Sequence, residues 1–133
     1  MTPLSYIKKA FMRIQLPAIL WALIIFTGSS IPAEDFPDLS IFTYDKMFHF
    51  VLFGFLCYFL FRALRYQTRF PKLALHALWV AFFMTVLYGV FDELHQALVP
   101  GRSPEALDFL ADSVGALTAT MILLFMERPR KTT

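Results

Sequence analysis

Between residues 88 and 116 the sequence reads YGVFDELHQALVPGRSPEALDFLADSVGA, and ionisable groups stand in it at helical intervals. Glu93 lies three residues before Gln96, Asp92 four before it, and Asp108 four before Asp112. A second stretch, YDKMFHF, puts Asp45 four residues and Lys46 three residues before His49. Residues three or four apart share one face of a helix. An imidazole and a carboxylate held in an apolar setting suit general acid–base work, which makes His49 and Glu93 the catalytic candidates. Lys46 and Arg102 have the donors to hold a phosphate or carboxylate. Asp45, Gln96, Asp108 and Asp112 complete a binding set that would take an amine or sugar hydroxyls, with Asp108 and Gln96 orienting the acid–base pair.

Other chemistries find less support. His49, Glu93, Asp108 and Asp112 have the ligand types for a divalent metal. No HExxH and no cysteine cluster accompanies them, so no metal and no cofactor are expected. GRSP is not the G-x-S-x-G turn of a serine nucleophile. The single cysteine, Cys57, cannot form an internal disulfide. A formal charge of +2, without a basic stripe, argues against nucleic acid as a partner. Plainer readings stand beside these. Asp45, Lys46, Asp92, Glu105 and His95 fit a hydrated headgroup layer. Glu93, Asp108 and Asp112 fit structural ion pairs with Arg102 or Lys46. His76 reads as interfacial and Cys57 as packing. The phenylalanines Phe48, Phe50, Phe53, Phe55, Phe59 and Phe61 go all round their helix and imply no ligand.

Something must position these groups, and the composition says what. Of the 133 residues, 58% are hydrophobic and 16 are phenylalanine; mean hydropathy is +0.59. A soluble domain is about 45–50% apolar. Crossing a hydrocarbon core of about 30 Å takes about 20 apolar residues in a helix. Four stretches are read as spans, roughly 14–30, 47–64, 73–91 and 107–126. The first is preceded by Lys8, Lys9 and Arg13 but lacks a good small-x-small cleavage site, so it is read as an uncleaved helix. The fold expected is all-α, a single integral membrane four-helix bundle over residues 1–133.

Ten of the twelve Lys and Arg residues lie before the first span (Lys8, Lys9, Arg13), between the second and third (Arg62, Arg65, Arg69, Lys72) or after the fourth (Arg128, Arg130, Lys131). Lys46 and Arg102 alone fall on the other side, with the acids Glu34, Asp35 and Asp38. Positive charge favours the cytoplasm, which puts both termini there and the chain in the cell membrane as a multi-pass protein. Ser103 and Pro104 suit the N-cap and first position of the last helix, with Glu105 in its first turn. At 1.5 Å per residue, Asp108 then lies about 6 Å and Asp112 about 12 Å along that helix from Pro104. Gly115 and Ala119 continue the Asp108–Asp112 face and would let a neighbouring helix come close. The economical arrangement is one outward-open polar funnel lined by His49, Glu93, Gln96, Asp108 and Asp112, with Arg102 above it. Its carboxylates outnumber its cations, so some are protonated or bound to a cation. Almost no polar groups continue toward the cytoplasm, which weakens a transport path.

At these same residues the sequence resembles the VanZ-like family of small membrane proteins. The matching segments are SSIP (Ser29–Pro32), DKMFHFVLFGFL (Asp45–Leu56) and YGVFDELHQALVPGRSPEALDFLADSVGAL (Tyr88–Leu117). The family's Asp-Lys-x-x-His falls on Asp45, Lys46 and His49. Its Glu-x-x-Gln falls on Glu93 and Gln96, its Gly-Arg loop on Gly101 and Arg102, and its helix-opening Asp on Asp108. Asp112 stands where the family pattern usually has Asn. The resemblance implies an envelope membrane protein, in a family named after a protein associated with low-level resistance to the glycopeptide teicoplanin. The function expected is recognition, or modification, of a lipid-linked or surface-polymer component, with membrane lipids and an anionic envelope ligand as partners. Alternatives are a membrane-embedded hydrolase or transferase using His49 and Glu93, and a structural or partner-binding protein, including a homo-oligomer, whose charges are buried pairs.

Overall fold

The computed structural model describes residues 3–35 and 42–127. Asp38, Arg128, Arg130 and Lys131, used above in the charge argument, lie outside them. The described residues form α1 (Pro3–Ile14), α2 (Leu16–Ser29), a 3-10 turn (Ala33–Asp35), α3 (Phe42–Arg65), α4 (Pro71–Leu75), α5 (Ala77–Gln96) and α6 (Ala106–Met126). The all-helical expectation holds, and α3, α5 and α6 are long and apolar enough to cross a membrane.

Three of the four expected spans reach crossing length. The first apolar run is the 14-residue α2, about 21 Å long at 1.5 Å per residue and so shorter than a hydrocarbon core. The basic segment before it is itself a helix, α1. Pro17, near the start of α2, has no N–H to continue an i→i−4 ladder, and the two helices part at Gln15. The third span is shifted and broken. α4 is a single short piece, the chain bends at His76, and α5 then runs on to Gln96 rather than stopping near residue 91. Asp92, Glu93, His95 and Gln96 therefore stand inside a helix, not beyond its exit.

α3 is the central element, packed most extensively on α6 and then on α5. Glycine explains how close it comes. A Cβ added to Gly115 would meet the Phe50 carbonyl oxygen at 2.1 Å, and one added to Gly54 would meet the Gly115 carbonyl at 3.4 Å. Small residues at such a contact let two backbones touch, and van der Waals packing then holds helices that gain nothing from excluding water. Cys57, Phe61, Ala77, Ala81, Ala116 and Leu123 form one buried apolar cluster, and Ile25, Phe53 and Leu56 another. Large apolar side chains such as Phe83, Leu87 and Leu94 on α5 and Leu110 and Ile122 on α6 point outward. A hydrocarbon solvent leaves them at no cost.

Candidate functional site

The polar residues gather where α3 begins, α5 ends and α6 begins. The last helix starts later than Ser103 and Pro104 suggest. Glu105 takes an extended conformation (φ −122°, ψ 119°) as N-cap, without a capping side chain of its own. The Glu93 carboxylate supplies the missing acceptor: the Glu105 N–H donates to its Oε2 at 2.6 Å. Thus α5 caps the approach to α6, a contact that sequence spacing does not reveal. The connection is folded back by Gly101, whose φ of 74° is a left-handed conformation suited to glycine. The Ala33 N–H donates to the Pro100 carbonyl at 3.3 Å, and Arg102 Nε donates to the Ile31 carbonyl at 3.1 Å. The Gly-Arg loop is thereby pinned over the end of α2.

Three connected groups result. In the first, Lys46 on α3 reaches Asp45 at 3.3 Å, Glu105 at 2.7 Å and the buried Asp108. In the second, His49 Nδ1 lies 2.9 Å from Asp112 Oδ1, and Asp112 is wholly buried. An ionised carboxylate has only acceptors, so in a neutral ring facing one Nδ1 would carry the proton and Nε2 the lone pair. In the third, Ser29 Oγ donates to Asp92 Oδ1 at 2.6 Å, and Gln96 Nε2 donates to Asp92 Oδ2 at 2.9 Å. Asp92 is 1% exposed, so the headgroup reading of this residue is corrected. With α5 extended to Gln96, Asp92 turns inward against α2. Beside it, Ser30 Oγ and His95 Nε2 are 2.9 Å apart, and His95 stacks on Phe26.

All eight residues expected in the site lie at this end, but not as one ring. His49, Glu93 and Asp112 converge. Asp45, Lys46 and Asp108 make a cation-centred knot beside them. Gln96 turns away to Asp92, and Arg102 sits at the loop. Asp92 and Ser29 join this end without having been among the expected site residues; the four-residue spacing of Asp92 and Gln96 and the polar end of GSSIP were the signals available. Between α2, α3 and α5 lies a cavity of about 270 Å³, lined by Asp45, His49, Asp92, Gln96 and Arg102 on one part and by Ile24, Ile25, Leu52 and Phe53 on another. His76 lies apart from all this, exposed, with Nδ1 2.9 Å from the Lys72 carbonyl, and Cys57 packs 3.5 Å from Thr120.

The sequence model of the VanZ/LLP1 family matches residues 2–127. The chain belongs to the VanZ/LLP1 family. The match covers every described helix, the polar end and the apolar end alike. Comparison with curated proteins and with solved structures returns no match. The chemistry of this VanZ-like membrane protein must therefore be argued from the side chains themselves.

Proposed function

We propose that the chain recognises an amphipathic, anionic component of the cell envelope, a lipid-linked or surface-polymer headgroup, at the polar end of the bundle, with that end facing outward and both termini cytoplasmic. The observation that supports this is the divided lining of the cavity. A headgroup meets Asp45, His49, Asp92, Gln96 and Arg102, while the start of its chain meets Ile24, Ile25, Leu52 and Phe53. Small-molecule pockets run to about 300–1,000 Å³. A cavity of about 270 Å³ takes a headgroup and the first part of its chain, not a whole glycopeptide. A link to glycopeptide resistance then runs through the envelope component rather than through capture of the drug here.

Arg102 brings positive charge to the mouth, and its guanidinium suits a phosphate or carboxylate. Lys46 already engages Asp45, Glu105 and Asp108, so an anion reaches it only by displacing a carboxylate. Asp92 and Gln96 offer an acceptor and an amide to hydroxyls or an amine. One observation favours a second reading, a hydrolase or transferase acting on the same headgroup. The His49–Asp112 pair has the form of a base and its orienting carboxylate, with Glu93 nearby.

The test is the melting temperature of wild type, Arg102→Ala and Glu93→Gln in lipid nanodiscs, with and without polyprenyl phosphate, anionic phospholipid and zwitterionic phospholipid. Stabilisation of wild type by an anionic lipid alone, lost in a folded Arg102→Ala, supports recognition. Turnover of such a lipid, lost in a folded Glu93→Gln, selects the enzyme. If no lipid stabilises wild type and both variants melt early, the polar end is scaffold and the proposal fails.

A further inference from the structure

Two of the polar atoms at this end are unaccounted for. Among the described residues, three buried side-chain atoms lack a hydrogen-bond partner, and two of them are Glu93 Oε1 and Asp112 Oδ2. Asp112 is 0% exposed and Glu93 8%. A bare carboxylate oxygen in a low-dielectric interior is costly unless something neutralises it. The neighbouring cations are engaged elsewhere. Lys46 serves Asp45, Glu105 and Asp108, and Arg102 donates to the Ile31 carbonyl. Asp92 is satisfied by Ser29 and Gln96. The unpartnered carboxyl oxygens are thus those of Glu93 and Asp112, next to His49.

We propose that His49, Glu93 and Asp112 bind one divalent transition-metal cation of the zinc or manganese class. The three side chains come from α3, α5 and α6, and one donor atom from each lies within 4.8 Å of the other two. Around a tetrahedral ion with bonds of about 2.1 Å, donors stand roughly 3.4 Å apart. Small side-chain rotations cover that difference without moving a helix. The absence of a side chain at Gly89 lets Asp112 come up against α5: a Cβ on Gly89 would stand 3.1 Å from Asp112 Oδ2. Gly89 is one helical turn before Glu93, so the bare Asp112 oxygen faces the same side of α5 that carries Glu93. An imidazole with two carboxylates is a nitrogen–oxygen set without thiolate, which suits zinc, manganese or cobalt and not a copper(I) or cluster site. Three protein ligands leave a position open, as in metal sites that take up an external group. His49 also lines the cavity. The cation site goes beyond the headgroup reading and stands without it. No contiguous metal motif marks the site in the sequence, because each ligand lies on a different helix.

Tag-free protein in nanodiscs of zwitterionic lipid, stripped with chelator, is titrated with Zn²⁺, Mn²⁺ and Co²⁺, with no anionic lipid present. The expected result is one saturable ion per chain, and for Co²⁺ a visible absorption without thiolate charge transfer. Affinity falls at least tenfold in Asp112→Asn and Glu93→Gln and stays within twofold in Glu127→Gln, a carboxylate at the other end of the bundle. Asp112→Asn keeps an oxygen for the His49 bond, and circular dichroism of each variant checks folding. Should either variant unfold, X-ray absorption of the wild-type Zn²⁺ complex decides: one imidazole among nitrogen and oxygen ligands supports the site, and an oxygen-only shell overturns it. Absence of saturable binding by wild type, or equal binding by all four proteins, also overturns it. A null result with anionic lipids bears only on the headgroup reading.

Discussion

The two ends of the helical bundle are built from the same α3 and α6, yet they treat charge in opposite ways. Where α3 ends, Phe61, Ala77 and Leu123 fill the interior, and the charged pair stays outside: Arg65 Nε meets Glu127 Oε1 at 3.1 Å with both side chains substantially exposed. Where α3 begins, Asp92, Glu93, Asp108 and Asp112 are buried, three held by a group from another helix and Glu93 by the backbone just before α6. The first arrangement is ordinary membrane-protein economy. The second carries a standing cost, because ionisable groups within spans are expensive and apolar residues of similar volume would pack at least as well. Burial, not the number of charges, is what sets the polar end apart.

The contrast can be broken most severely at the contact that brings the polar groups together. Gly115→Ala puts a Cβ 2.1 Å from the Phe50 carbonyl oxygen, and backbone cannot yield as a side chain tip does. Overpacking costs about 1–3 kcal/mol and occasionally more; here we expect the top of that range or beyond, seen as loss of the monodisperse species on size exclusion in mild detergent. Lys46→Met comes next. It strands the buried Asp108, and removing one member of such a pair costs about 3–5 kcal/mol, read from denaturation in detergent and eased by the double variant Lys46→Met/Asp108→Leu. Ser29→Ala takes one donor from Asp92 and should cost about 1–3 kcal/mol, with Gln96 still in place. Glu127→Gln, at the other end, should cost no more than about 1 kcal/mol, and less at high salt. If Glu127→Gln proved as damaging as Lys46→Met, the two ends would not differ as described.

Much of this contrast was legible in the letters, and the reasons for the rest are specific. The spans of α3, α5 and α6 stand out because about 20 apolar residues in a row have few other uses. The small face of Asp108, Asp112, Gly115 and Ala119 rightly announced a close neighbour, and the Asp-Lys-x-x-His and Glu-x-x-Gln spacings picked out residues that gather at one end. α1 escaped notice because Lys8, Lys9 and Arg13 read as flanking charge. α5 was ended too early because a run of Asp92, Glu93 and His95 looks like the way out of a membrane. Lys46 with Asp108 was among the ion pairs the letters allowed; His49 with Asp112 and Asp92 with Ser29 were beyond reach, because they depend on how each helix is rotated about its axis, which is set by packing. Glu93 as acceptor for the Glu105 N–H was hidden for the same reason, since Ser103 offered a local cap that the fold does not use.

The central claim is that the polar end is an accessible site on the outer face of the membrane. The direct test is cysteine labelling in intact cells, in a Cys57→Ala background, comparing Arg102→Cys with Glu127→Cys and using a membrane-impermeant maleimide. Labelling of Arg102→Cys in intact cells, with Glu127→Cys labelled only after permeabilisation, is the result predicted. Labelling of Arg102→Cys only after permeabilisation would put the polar end inside the cell and contradict the account.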